Sequence, residues 1–183
     1  QSGLTVTNSG TINAGGSKAI NLLNATNSII TNNTGGIIKS NTNTITVTAT
    51  NDNDANNVTI NNSGEIYAYS TDPAADSAAI KSEADTDNIT IINNSGGYIH
   101  SNNGNSSVQQ GSTVFISSLS NATLTNSGTI ENKASTDAYV LGVAGIGVTV
   151  TLKDKGKVIG KINVAGSGHT IKLQHGAGQA YFY

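Results

Sequence analysis

The chain of 183 residues is long enough for one domain, 1–183, with a core of its own, and no shift in composition divides it. Only 11% of its residues are charged, the formal net charge is -2 and all nine cations are lysines, so the basic footprint of a nucleic-acid binder and the arginine fork of a phosphate binder are missing. With no cysteine there are no disulfides, no thiolate metal ligands and no cysteine nucleophile.

Asn, Thr, Ser and Gly supply about half of the chain, against 4% aromatics and one proline, so any core is expected to be narrow and aliphatic. No apolar run approaches a membrane span, and Gln1 opens without the charged and apolar regions of a signal peptide. The expectation is a mature or excised piece of a longer array.

One phrase, apolar-x-apolar-x-Asn-x-Gly-x-Ile, recurs along the chain. It stands clearest at Leu4–Ile12, Val58–Ile66 and Leu124–Ile130. Taking the Ile after each Gly as the mark gives Ile12, Ile38, Ile66, Ile99, Ile130 and then Val158, spaced by 26, 28, 33, 31 and 28 residues. Within each unit the apolar period is 2 and β-branched residues dominate, as in Val58-Thr59-Ile60, Ile45-Thr46-Val47-Thr48 and Val148-Thr149-Val150-Thr151-Leu152, which predicts strands. Asn-x-Gly reads as a corner in which glycine takes positive φ and asparagine bonds its own backbone. The units at Asn33-Thr34-Gly35-Gly36 and Asn94-Ser95-Gly96-Gly97 carry an extra residue after the corner, which predicts a local bulge. A further strand per unit is predicted at Ala19–Leu22, Ile45–Val47, Ala79-Ile80, Val114–Ile116 and Tyr139–Leu141.

Three short strands per repeat without a helix to return the chain predict a parallel β-helix of six to seven three-strand coils, roughly 4–28, 29–57, 58–88, 89–121, 122–147, 148–168 and 169–183. At about 4.8 Å per coil the rod core is on the order of 30 Å long, lined by Ile, Val and Leu with asparagines stacked as bonded ladders. A β-sandwich with Asn-Gly hairpin turns is the rival, and one corner per thirty-residue interval favours stacked coils.

The connection after the Gly-x-Ile strand varies in length. It is short at Gly15-Gly16-Ser17 and long at Tyr69–Ser77 and Ser101–Ser112, so the long loops are expected on one side of the rod. A second corner collects Asn51-Asp52-Asn53-Asp54 and Glu83-Ala84-Asp85-Thr86-Asp87. Towards the end, Lys153, Lys155, Lys157 and Lys161 surround a last corner in which Asp154 takes the asparagine slot, and alternation puts Lys153, Lys155 and Lys157 on one face. Tyr181-Phe182-Tyr183 is placed to cover the open end.

The repeated Asn-Ser-Gly-Thr-Ile and Asn-Ser-Gly-Glu-Ile phrases, with Val158-Ile159-Gly160-Lys161-Ile162 and Gly166-Ser167-Gly168-His169-Thr170-Ile171-Lys172-Leu173, resemble the passenger domains of bacterial autotransporters. The resemblance covers most of the chain. It implies a right-handed all-β parallel helix, secretion or display at the bacterial surface, a C-terminal translocator β-barrel in the full-length precursor, and an adhesin or effector role. The missing cysteines fit a chain that crosses the outer membrane before folding.

Chemistry is sparse. Asp52, Asp54, Asp85 and Asp87 are hard oxygen ligands on adjacent loops, but they lack a calcium-loop pattern and read as solvated loop acids rather than a calcium site. Glu65 and Glu131 are read as equivalent strand residues two coils, about 10 Å, apart, too far for the paired carboxylates of a sugar-cleaving enzyme. His100, His169 and His175 are scattered, and no nucleophile elbow accompanies the many serines. The expectation is therefore no enzyme, no cofactor and no metal. Outward Thr5, Thr59, Thr123 and Thr151 suggest an ice-binding face, but the extra residues at two corners are expected to interrupt it, leaving threonine's strand preference as the explanation.

The functional expectation is an adhesin that binds a host cell-surface protein or glycan through the long loops, with Tyr67, Tyr69 and Tyr139 as anchors and Asp72, Asp76, Gln109 and Gln110 in the loops themselves. The lysines Lys153, Lys155 and Lys157 suit sulfated glycans or an anionic surface. In the alternative, a soluble effector activates a host receptor, its acidic loops 52–54 and Glu83–Asp87 meeting a basic patch.

Overall fold

The computed structural model describes residues 2–51, 55–72, 76–103 and 111–174. Its strands follow one another coil by coil. The first coil holds β1 (Thr5–Asn8), β2 (Thr11–Ala14) and β3 (Ile20–Leu23), and the second holds β4 (Ile29–Asn32), β5 (Ile37–Ser40) and β6 (Ile45–Thr48). The third adds a short leading strand, running β7 (Ala55–Asn56), β8 (Thr59–Asn62), β9 (Glu65–Ala68) and β10 (Ile80–Ser82). The fourth repeats this with β11 (Thr86–Asp87), β12 (Thr90–Asn93), β13 (Tyr98–Ser101) and β14 (Val114–Ser118). The fifth comprises β15 (Thr123–Asn126), β16 (Thr129–Asn132) and β17 (Tyr139–Gly145), the sixth β18 (Thr149–Lys153), β19 (Lys157–Ile159) and β20 (Lys161–Val164), and β21 (Thr170–Gln174) opens a seventh.

Every strand pairs in parallel with its counterpart one coil away. The first sheet is β1-β4-β8-β12-β15-β18-β21, the second β2-β5-β9-β13-β16-β19 and the third β3-β6-β10-β14-β17-β20, while β7 and β11 make a two-stranded ribbon between the third and first sheets. This is the parallel β-helix that the repeat predicts, with no α-helix among the described residues. Alternation turns an apolar column of each sheet inward: Ile30, Ile60, Ile91 and Leu124 from the first, Ile38, Ile66, Ile99 and Ile130 from the second, and Ile45, Ile80, Val114 and Leu141 from the third, which adds Leu22, Val47, Ile116 and Val143 in a second column, all buried. Burying each such side chain stabilises the rod by about 1.5–3 kcal/mol.

A second inward column of the first sheet is polar. Asn8 Nδ2 donates to Asn32 Oδ1 at 2.8 Å, Asn32 to Asn62 at 2.9 Å, Asn62 to Asn93 at 2.9 Å and Asn93 to Asn126 at 2.8 Å. Each amide also donates to backbone carbonyls at the corner, as Asn32 does to Gly36 and Glu65. The ladder expected from the sequence is therefore present and its donors are bonded. It stops where Leu152 pairs with Asn126, so Leu152, and not Asp154, occupies the asparagine slot of the sixth coil.

Two further expectations are corrected at this corner. Gly10, Gly36, Gly64, Gly97, Gly128 and Gly156 do not have positive φ. All but Gly10 are glycines because the coils touch there: a Cβ on Gly64 would lie 2.3 Å from the Gly36 carbonyl oxygen, and one on Gly128 would lie 2.2 Å from that of Gly97. The inserted residues make no bulge either. Gly36 N–H bonds to Asn33 O at 2.8 Å and Gly97 N–H to Asn94 O at 2.9 Å, closing tight turns before the next strand, and pairing resumes in unbroken register at Ile37↔Glu65 and Tyr98↔Glu65. The insertion projects outward and leaves the sheets intact.

Positive φ occurs at this corner only at Gly35 (80°) and Gly96 (84°), as expected there, and at Asp154 (56°); a regular series of left-handed residues lies instead at the entry to the first sheet. Gly3, Asn27, Asn57, Asn88, Asn121, Gly147 and Gly168, one per coil, have φ between 50° and 70°. Each lies three residues before an inward apolar residue, from Val6 to Ile171, and only Asn and Gly meet the conformational demand. The long connections both run from the second sheet to the third, as expected, although 73–75 and 104–110 lie outside the described residues.

The contact geometry makes a sharp contrast testable by chemical unfolding. Gly128→Ala should cost several-fold more stability than Gly10→Ala, because a Cβ on Gly10 meets nothing within 4 Å. Asn93→Ala should cost about 1–3 kcal/mol for each bonding group it orphans on Asn62 and Asn126. Equal midpoints for the two alanine-for-glycine variants would contradict the close-approach account.

Candidate binding face

Because Ile66, Ile99 and Ile130 point inward, the residues on either side of them point outward from the second sheet. They form two columns in register, Glu65↔Tyr98↔Thr129 and Lys39↔Tyr67↔His100↔Glu131. The adjoining coils bring five chemically active side chains together. His100 stacks on Tyr67 with ring centroids 4.6 Å apart and planes 10° apart, and its other close ring is Tyr98 at 4.4 Å. Lys39 Nζ lies 5.7 Å from the Tyr67 centroid and Lys133 Nζ 5.9 Å from that of Tyr98, so a cation faces each tyrosine.

Two carboxylates tie the coils diagonally. His100 Nε2 meets Glu65 Oε1 of the preceding coil at 2.8 Å, and the Tyr98 hydroxyl donates to Glu131 Oε2 of the following coil. Burial pushes the His100 pKa below its ordinary value against the opposing pull of Glu65, with Lys133 adding to the depression. Burial also raises the Tyr98 hydroxyl, helped by its bond to Glu131 and by the charges of Glu131 and Glu65, so it stays protonated and donating. His100 is only 3% exposed and its Nδ1 has no partner among the described residues. Its ring is a packing and bonding element with no atom open to a substrate.

Glu65 and Glu131 are therefore not equivalent strand residues. Glu65 precedes its inward isoleucine and Glu131 follows its own, which puts them in neighbouring columns with His100 and Tyr98 between them. The group is hidden in the sequence because its members come from neighbouring coils and meet only through the register of the second sheet. The signal was present in the residues flanking Ile66, Ile99 and Ile130.

Of the anticipated anchors, Tyr67 belongs to this face and Tyr69 adjoins it, its ring centroid 6.2 Å from that of Tyr67 and its hydroxyl donating to Ala14 O at 3.2 Å. Tyr139 lies apart on the third sheet, half-buried. Asp72 is exposed, with its N–H on Ser70 Oγ. Asp76 and Glu83 converge on Lys81 Nζ at 2.5 and 3.4 Å. That lysine is buried on the outward side of the third sheet beside Thr46 and Phe115. Asp87 is buried and accepts the Ser120 hydroxyl at 2.7 Å, so it is no solvated loop acid; Asp85 is half-buried with φ 68°. Asp87 pairs in register with Asn56, whereas 52–54 of the other acidic corner lie outside the described residues.

Lys153, Lys155 and Lys157 are exposed but do not share one strand face, because β18 ends at Lys153 and β19 begins at Lys157 with a turn between. His169 has a structural role, its Nδ1 accepting the Val148 N–H at 3.2 Å and its Nε2 meeting Ala165 O at 2.9 Å. Asp52, Asp54, Gln109, Gln110, His175 and Tyr181 to Tyr183 lie outside the described residues. Among the described residues no group of three or more His, Asp or Glu side chains could hold a metal ion. No protein family, curated protein or solved structure matches this chain.

The buried imidazole gives a pH dependence. Its folded pKa is below the unfolded value of 6.5, so the contribution to stability is complete above that value and is lost as pH falls through the folded pKa. His100→Phe, which keeps a stacked ring, should flatten the decline of the urea midpoint between about pH 7 and pH 5. An unchanged slope would show that His100 does not titrate in this range.

Proposed function

We propose that this chain is a binding module displayed at or released from a bacterial surface, acting by recognition rather than turnover on a host cell-surface protein or glycan. The resemblance to autotransporter passengers supports the setting, and within that reading a translocator β-barrel follows in the precursor. The observation that carries the binding role is the outward face of the second sheet. Lys39, Tyr67, His100, Tyr98, Glu65, Glu131 and Lys133 gather there, beside the corner from which both long connections leave.

The chemistry suits recognition. Tyrosines offer large, rigid, amphipathic area at little entropic cost, and here their rings are held by stacking and by bonds from neighbouring coils. Alternating lysines and carboxylates around them supply charge complementarity that selects a partner and its orientation. The faces of Tyr67 and Tyr98 are engaged by His100 and the lysines, so the module meets its ligand through ring edges and charged heads. That geometry favours a protein surface or the hydroxyls of a glycan over flat stacking of a sugar ring.

Labelled chain applied to host cells, with parallel arrays of cell-surface proteins and glycans, tests this reading. Saturable binding is expected, weakened roughly tenfold or more by Lys39→Glu combined with Lys133→Glu at unchanged circular dichroism. Binding indifferent to that pair would move the site off this face, and no binding to any cell or array would overturn the function. Signalling elicited by the free chain would redirect the reading to a soluble receptor ligand.

A further inference from the structure

The outward face of the first sheet has a different character, and the register shows it to be continuous. One outward column runs Thr5, Ile29, Thr59, Thr90, Thr123, Thr149, Thr170, and the next runs Thr7, Thr31, Asn61, Ile92, Thr125, Thr151, Lys172. The expected interruption at the inserted corners does not occur, because those insertions follow Asn32 and Asn93, after each strand has completed its pairing. Threonine therefore holds five consecutive positions of the first column, from Thr59 to Thr170.

Strand preference does not account for this. The second sheet is built of equally regular strands, yet of its outward positions only Thr11 and Thr129 are threonine, the others including Lys39, Glu65, Tyr67, Tyr98, His100 and Glu131. A propensity for strands would spread threonine over every sheet. Nor are the hydroxyls used internally: apart from a 3.4 Å contact between Thr123 and Thr90, no threonine side chain in these columns makes a hydrogen bond within the described residues. Their side chains are exposed or half-exposed and open to an external partner.

The composition narrows that partner. Neither column contains an aromatic residue on which sugar rings could stack or an acid that could hold a cation, and Lys172 is the single charge. What remains is a regular lattice of hydroxyls and methyls. Strand pairing fixes its repeat along the rod at about 4.8 Å, and alternate residues put the columns about 6.7 Å apart. In a tetrahedral water network with O–H···O distances of about 2.75 Å, second-neighbour oxygens lie about 4.5 Å apart and the axial repeat of hexagonal stacking is about 7.3 Å. The fit is near in both directions, and the intervening methyls order the water over them.

We infer that the outward threonine columns of the first sheet form an ice-binding face, distinct from the recognition face on the second sheet. The hydroxyls enter the lattice as donors and acceptors, and the methyls sit between its ridges. The face is most regular over Thr123, Thr125, Thr149 and Thr151, where both columns are threonine in adjacent coils.

The test is ice recrystallisation inhibition and shaping of single ice crystals by the purified chain. Suppressed grain growth and faceted crystals are expected from the unmodified protein, with loss of both in Thr123→Tyr and Thr149→Tyr. Asn21→Tyr, at an exposed position of the third sheet, should retain activity. Circular dichroism and melting establish that each variant is folded. A folded chain without effect on ice, or one whose effect survives both threonine changes, overturns the assignment. Adsorption to crystalline cellulose or chitin without any effect on ice would overturn it in favour of a polysaccharide lattice. None of these outcomes depends on host-cell binding, so the two faces are judged separately.

Discussion

The structure depends on how closely one coil can lie on the next at the corner between the first and second sheets. There the backbone of one coil meets that of its neighbour so tightly that a Cβ at Gly36, Gly64, Gly97, Gly128 or Gly156 would lie between 2.1 and 2.7 Å from a backbone oxygen of the coil beneath. Close approach is what lets each ladder asparagine reach both the next asparagine and the corner carbonyls. A buried amide without those partners would cost about 1–3 kcal/mol, so glycine and asparagine are requirements of one another. Where Leu152 replaces the asparagine, the sixth coil keeps its glycine at position 156, because close approach is still needed even though the ladder has ended.

Much of the fold was legible because two different demands recur with the same period. The inward isoleucines mark the register, and the strands between them alternate plainly. The corner was located correctly and explained only in part, since Gly35 and Gly96 take positive φ while Gly64 and Gly128 answer a close approach, and the sequence does not separate the two. The one positive-φ residue that recurs in every coil is also recorded in the sequence. Asn27, Asn57, Asn88 and Asn121 stand three positions before Ile30, Ile60, Ile91 and Leu124, with Gly3, Gly147 and Gly168 in the equivalent places. In a chain so rich in asparagine, these could be told from the ladder asparagines only by alignment to the inward residue.

The binding face was less legible because its contacts are between coils. Tyr67 was singled out, yet its neighbours His100 and Lys39 are some thirty residues away in the chain and become adjacent only once the register is fixed. The side of each isoleucine on which a residue falls decides its column, and that one-residue difference separates Glu65 from Glu131. The acids at the other corner show the opposite error. Asp87 was read as solvent-facing, whereas pairing of β11 with β7 buries it against Ser120.

A solenoid of this kind separates what must repeat from what is free to vary. Stacking is carried by inward side chains, backbone pairing and the corner, none of which constrains an outward side chain beyond its compatibility with a strand. The three outward faces are accordingly unlike one another. The third is partly closed over, with Thr46, Lys81 and Phe115 buried. The second gathers aromatic rings and paired charges in its middle coils, and the first repeats threonine in one column with Ile29 as its single exception and in most of the other. Uniformity on one face and diversity on another cannot both follow from the needs of the same coil. The inward columns account for the fold, and the contrast between the outward ones is where the chain's interactions with other matter are written.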